Sequence, residues 1–175
     1  MERTIAKELN VRELYMLFPE SVPIQVIENR FYMSPAPKRI HQKVSLKIAS
    51  QLLEYAEKNN LGEVYEAPFD VFLNDKNIYQ PDIIFISSAN LQHLTDTGFE
   101  GAPDLIVEIL SESNKKDDLE TKKKVYEACG VKEYFIVNPE TKAVLHYLLK
   151  DGKFSEASLS EAVLQSQILK HSVEF

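Results

Sequence analysis

Residues 102–139 read APDLIVEILSESNKKDDLETKKKVYEACGVKEYFIVNP, from Ala102 to Pro139, in the order strand, loop, helix, strand. In the first strand Asp104, Ile106, Glu108 and Leu110 share one face, and Leu105, Val107 and Ile109 the other. Both faces are apolar apart from the acids, the pattern of a strand covered on both sides. A carboxylate at Glu108 is costly to desolvate there unless it is paired or binds a metal. The helix reads from Asp117 to Cys129, with Leu119, Val125, Tyr126 and Cys129 recurring at helical spacing and Gly130 as its stop. At about 100° per residue Lys122 falls inside this apolar stripe, while Lys123 and Lys124 fall away from it. Asp118 and Tyr126 flank Lys122 by one turn on either side. On spacing alone the simplest account is a buried Lys122–Glu108 or Lys122–Asp118 ion pair, with Lys123 and Lys124 forming a solvated face.

A chain of 175 residues fits one domain with a sizeable core. An apolar fraction of 44% and a charged fraction of 27% are those of an ordinary soluble globular protein. The net charge of −7 argues against a basic nucleic-acid coat, though not against a local basic groove. A single cysteine, Cys129, excludes an internal disulfide framework and fits a reducing cytoplasm. No run approaches the roughly 20 apolar residues of a membrane span, and no signal peptide is visible.

Upstream, Thr4–Phe18 reads as a short amphipathic helix and Ile24–Met33 as a hairpin broken at Glu28-Asn29-Arg30. This N-terminal part, residues 1–37, is expected to pack on a core of 38–175 within one domain, 1–175. A long helix follows, Arg39–Lys58, with His41, Val44, Ile48, Leu52 and Tyr55 on one face. His41 reads most simply as a packed, hydrogen-bonded histidine. A functional reading makes it a group near the site, touching phosphate or acting in acid–base chemistry. Short strands are expected at Glu63–Glu66 and Phe69–Leu73. A buried strand is expected over Tyr79–Ser87, entered by Pro81 and carrying Asp82 at its start. Ser88–Gly101 reads as a polar, flexible connection. Glu133–Val137 is a further buried strand, and Asp151-Gly152 marks a hairpin between Ala143–Leu149 and Phe154–Ala157. Val163–Phe175 suggests a last edge strand or an oligomer contact. Together these elements predict an α/β domain in which a crossover helix joins two parallel strands.

Pro81-Asp82 followed by Glu108-Ile109-Leu110 resembles the PD-(D/E)xK nuclease motif. The finer similarity is to the Uma-type restriction endonuclease family, whose biological role is unknown. It rests on an ordered set: His41 on its helix, Pro81-Asp82, Glu108-Ile109-Leu110-Ser111, Asp118, Lys122 and Tyr126 at four-residue steps, then Gly130-Val131-Lys132-Glu133-Tyr134-Phe135-Ile136-Val137-Asn138-Pro139. It covers the chain from about Glu13 onward.

The resemblance implies a restriction endonuclease-like fold, with a central mixed β-sheet flanked by helices. It implies a metal-dependent DNA endonuclease, with Asp82, Glu108 and Lys122 catalytic. Magnesium or manganese would be held by Asp82, Glu108 and the Ile109 carbonyl. His41, Asp118 and Tyr126 would support the site, and a homodimer would suit cutting of both strands. The alternative function is a catalytically inactive member serving as a binding or assembly module. Three departures stand out: Leu110 occupies the position where the superfamily often has its strand lysine, Asn138 precedes the last proline, and Gln25 stands where an extra acid is usual. Lys115, Lys116, Lys123 and Lys43 are candidates to touch a nucleic-acid backbone.

Overall fold

Helix α2 covers Arg39–Lys58, as its apolar spacing predicts. Its buried side, His41, Val44, Ser45, Ile48, Ala49, Leu52 and Ala56, repeats at three- and four-residue steps, so one stripe faces the core. The computed structural model describes residues 9–19, 22–111 and 117–175, the stretch 117–119 as backbone only. Within these, α1 is Val11–Tyr15, opened by a capping box in which Asn10 and Glu13 exchange side-chain and backbone bonds. Residues 4–8 of the helix expected over Thr4–Phe18 lie outside the described residues.

The strands are β1 (Ile24–Ile27), β2 (Arg30–Met33), β3 (Gly62–Glu66), β4 (Val71–Asn74), β5 (Asn77–Tyr79), β6 (Ile83–Ser87), β7 (Leu94–Thr95), β8 (Gly98–Glu100) and β9 (Leu105–Ile109). After helix α3 (Lys123–Cys129) come β10 (Glu133–Val137), β11 (Ala143–Lys150), β12 (Lys153–Glu161), β13 (Val163–Ser166) and β14 (His171–Glu174). A π-helical turn, Asp117–Lys122, leads into α3, and Gly130 closes that helix in the left-handed conformation at φ 93°.

One sheet has the order β12-β11-β10-β9-β6-β3, with β9 and β10 parallel as the crossover predicts. The expectation of a single central sheet needs correction. A second mixed sheet, β2-β1-β5-β4-β8-β7, packs over the first, and a separate hairpin joins β13 to β14. Helix α2 covers one face of the first sheet through Val44, Ile48 and Leu52 against Phe85, Val107 and Phe135. The other face meets α3 and the second sheet, where Tyr126 and Tyr134 pack with Ile106, Val71 and Tyr79. Helix α1 covers the outer side of the second sheet, its Tyr15 packing with Ile24, Val26, Phe72 and Ile78.

Three further readings change. The strand expected over Tyr79–Ser87 is two strands in different sheets, because Pro81 lacks a ladder donor and the chain passes there from one sheet to the other. Ser88–Gly101 is a single 3₁₀ turn, Ser88–His93, followed by the β7–β8 hairpin, with Phe99 fully buried. Glycine is required at Gly98: its φ is 153°, and a Cβ there would lie 2.3 Å from the Asp70 carbonyl oxygen. Last, Val163–Phe175 forms the β13–β14 hairpin instead of one edge strand.

A buried carboxylate ties the 3₁₀ turn to the first sheet. Asp104 is 2% exposed and accepts from Ser87 N–H at 2.7 Å, from Asn90 Nδ2 and from Lys132 Nζ. Burial works against its charge, but these donors outweigh burial and hold its pKa below the usual aspartate value. A depressed folded pKa gives stability that is present above the unfolded value, about 3.9, and lost as pH falls through the folded one. Asp104→Asn is therefore expected to flatten the acid limb of the stability curve relative to wild type. Denaturant titrations at pH values from 6 down to 2 check this; superimposable limbs would contradict it.

Candidate active site

Three elements converge at the end of the first sheet: the start of β6, the end of β9, and the junction of the π-helical turn with α3. Strands β6 and β9 pair antiparallel, with Ile83 opposite Val107. Continuing that register by one step places Asp82 opposite Glu108. Asp82 lies just outside the ladder, its carbonyl accepting from Ala67 N–H and its Oδ2 from Ile109 N–H at 2.6 Å. A backbone donor thus fixes the Asp82 carboxylate against the neighbouring strand. Among the described residues no donor bonds its other oxygen, Oδ1.

Glu108 is 1% exposed and Lys122 3% exposed. Lys122 Nζ donates to Glu108 Oε1 at 2.8 Å, and Tyr126 O–H donates to the same oxygen at 2.6 Å. Lys122 therefore points inward, as the stripe argument predicts, and it is paired with Glu108, one of its two candidate acids. The side chain of Asp118, the other candidate, lies outside the described residues. Tyr126 is wedged edge-on between Tyr79 and Tyr134, at ring centroid distances of 5.6 and 5.1 Å. Lys122 Nζ also sits 5.9 Å from the centre of the Tyr79 ring. Burial, reinforced by the Glu108 charge, raises the Tyr126 pKa well above the usual tyrosine value, so its hydroxyl stays a donor.

His41, on the first turn of α2, reaches the same place. Its Nε2 lies 3.3 Å from Asp82 Oδ2, while its Nδ1 is buried and has no hydrogen-bond partner among the described residues. Burial works against an imidazolium there, yet the Asp82 carboxylate, the Ile109 backbone and the Glu108 charge outweigh it and raise the pKa.

The structure thus gathers His41, Asp82, Glu108, Ile109, Lys122 and Tyr126. Of the other groups, those described lie elsewhere. Gln25, standing where an extra acid is usual, accepts from Gln80 N–H and donates to Ser34. Lys123 stacks on the Tyr147 ring at 3.8 Å, Lys43 is exposed, and Lys115 and Lys116 lie outside the described residues.

Among the described residues no three His, Cys, Asp or Glu side chains form a group able to hold a metal. Magnesium, however, is commonly held by one or two carboxylates together with waters and substrate phosphates rather than by a protein cage. Asp82, with an oxygen spare, and Glu108 opposite it supply that oxygen chemistry.

A second polar cluster has no counterpart in the sequence reading. Glu133 is fully buried on β10; its Oε1 accepts from Gln167 N–H and pairs with His146 Nε2, and its Oε2 accepts from Ser166 Oγ. The desolvation argument that singles out Glu108 applies equally to this acid, the first residue of the run Glu-Tyr-Phe-Ile-Val.

Comparison with known proteins gives two findings. Residues 11–174 match the family described as "Uma2: Putative restriction endonuclease". A similar solved structure is a crystal structure described as "a putative nuclease belonging to DUF820" from Anabaena variabilis ATCC 29413, with a TM-score of 0.75 at 15% identity, covering 93% of this chain and 92% of that one. The search of curated proteins gave no match. No helix among the described residues is long and apolar enough to cross a membrane.

Proposed function

This chain belongs to the Uma2 restriction endonuclease family, and from that premise we propose that it is a metal-dependent endonuclease hydrolysing phosphodiester bonds in DNA. The observation that carries the reading is a buried lysine and glutamate, Lys122 and Glu108, bonded at 2.8 Å with Asp82 in register across the strand pair. Asp82, Glu108 and the Ile109 carbonyl would hold a divalent metal, magnesium or manganese. When bound, such an ion supplies Lewis-acid polarisation of a phosphate.

The chain's own groups do the positioning. Ile109 N–H fixes the Asp82 carboxylate. Tyr126 and Lys122 fix Glu108 from one side. Lys122 brings positive charge to the place where negative charge develops on the phosphate oxygens. Phosphoryl transfer depends mostly on positioning and electrostatics, so two acids and one lysine suffice. A homodimer would present two such sites to the two strands.

A second reading, a binding or assembly module without catalysis, draws on one specific observation: Glu108 Oε1 already takes both Lys122 and Tyr126.

Nicking of supercoiled plasmid in magnesium or manganese separates the two. Wild type is expected to nick, while Asp82→Ala and Lys122→Met, each shown folded by circular dichroism, lose about 10²-fold or more of that rate. Cleavage surviving in both variants would sink the assignment of these residues. No cleavage by wild type, with no metal uptake by calorimetry, would favour the module.

A further inference from the structure

We infer that β2 is an interface strand: it pairs edge to edge with β2 of a second copy of this chain, antiparallel about a two-fold axis at Tyr32, with Phe31 opposite Met33 of the partner subunit. This gives a place to the interface of a homodimer, and it does not depend on the chemistry at Asp82.

The edge itself is the first observation. Strand β2 ends its sheet, and among the described residues no strand pairs with its outer side. All four of its side chains, Arg30, Phe31, Tyr32 and Met33, are exposed. Sheet edges that stay single are usually shortened, charged or bulged. The other edges here follow that habit: β7 has two residues, β3 exposes Glu63 and Glu66, and β12 carries Lys153, Glu156, Glu161 and a register shift. In β2 the one charge, Arg30, sits at the turn, and the rest is apolar or aromatic.

An apolar patch continues from this edge. Phe31 lies opposite Val26 and Met33 opposite Ile24, so both stand on the face that α1 covers. The Phe18 ring meets the Phe31 ring at 5.5 Å. Leu17, next to it, is 71% exposed and Met33 73%. Exposed apolar surface gathered along an open strand marks a protein contact.

The backbone register selects a second copy as the occupant. Ser34 N–H bonds the Pro23 carbonyl at 2.8 Å, and bonded pairs alternate along an antiparallel ladder. Tyr32 and Arg30 therefore turn their N–H and C=O groups toward β1, while Phe31 and Met33 turn theirs outward. With the axis at Tyr32, Phe31 and Met33 of the two copies exchange four backbone bonds. Shifting the axis to Phe31 sets Met33 against Asn29, whose N–H is already given to the Lys76 carbonyl. Shifting it to Met33 sets Phe31 against Pro35, which has no N–H. Only the Tyr32 register answers every outward group of the strand, and it also sets Phe31 beside Met33 on the apolar face and the two Tyr32 rings together on the other.

Sedimentation velocity on the full chain tests this. Wild type is expected to be a dimer at micromolar concentration. Met33→Lys, a change at an exposed position with an unaltered circular dichroism spectrum, should weaken dimerisation at least about tenfold. Cross-linking reads the register. In a Cys129→Ser background, Tyr32→Cys should give a disulfide-linked dimer on treatment with diamide, because facing residues of a non-bonded pair lie about 4.5 Å apart at Cα, within disulfide reach. Met33→Cys should not, since its facing residue is Phe31 of the partner subunit. A monomeric wild type overturns the inference. So does a dimer that Met33→Lys leaves intact, or cross-linking through Met33→Cys as complete as through Tyr32→Cys.

Discussion

Glu108→Ala is expected to destabilise the fold by about 3–5 kcal/mol, the cost of removing one member of a buried ion pair. Lys122 is 3% exposed and donates to Glu108 at 2.8 Å, so the truncation takes a carboxylate partner from a buried ammonium. The Tyr126 hydroxyl loses its acceptor at the same stroke. Replacing both charges by apolar groups of similar volume, Glu108→Leu with Lys122→Met, is expected to restore most of that loss, because such swaps are often neutral or stabilising. Guanidinium denaturation of Glu108→Leu, Lys122→Met and the double variant closes a mutant cycle, with a coupling of several kcal/mol expected. A Glu108→Ala variant within about 1 kcal/mol of wild type would mean the lysine finds water or another partner. The cycle also bears on why the pair exists. If the apolar double variant is as stable as wild type, the ion pair contributes little to folding, and its presence needs the functional explanation that the site reading offers.

Much of this architecture is legible in local pattern. Helix α2 announces itself because seven positions of one stripe recur over 20 residues, long enough for periodicity to outweigh any single residue. Local pattern also orients Glu108 and Lys122, the first by strand alternation and the second by helical spacing. The π-helical turn at Asp117–Lys122 does not carry Lys122 out of the apolar stripe. What stays hidden is long-range or short-lived along the chain. Strands β5, β7 and β8 are two or three residues each, too short for a period of two to show. They exist because a second sheet covers the first, and that is a tertiary fact. Asp82 is legible as the residue entering a strand, but its link to the Ile109 N–H crosses 27 positions of sequence. The contact of His41 with Asp82 spans two elements that no local pattern connects. Partners of buried acids are the least legible of all, since a sequence shows the acid and not what answers it.

Glu133 is the sharpest instance, and Glu133→Ala is the other large loss expected, about 3 kcal/mol or more. Its carboxylate, fully buried, ties three separate segments: β10 through itself, β11 through His146, and the end of β13 through Ser166 Oγ and Gln167 N–H. Ser166 in turn accepts from Leu169 N–H, so the turn of the C-terminal hairpin hangs on the same group. A carboxylate at 2.8 Å from Nε2 places the His146 proton on that nitrogen, leaving Nδ1 to face Ser158 Oγ at 3.3 Å. Truncation to alanine orphans one backbone donor, one imidazole nitrogen and one hydroxyl together, and hydrogen bonds to a charged group contribute about 1.5–3 kcal/mol each. Glu133→Gln keeps the carbonyl acceptor for two of these groups and turns its amide toward the serine oxygen, which can accept, so its cost should be less than half that of alanine. The damage should also be local before it is global. Hydrogen exchange is expected to rise first at β13 and β14, which among the described residues pair only with each other. Uniform exchange across β10, β11 and the hairpin in Glu133→Ala would show instead that these segments open as one unit with the core.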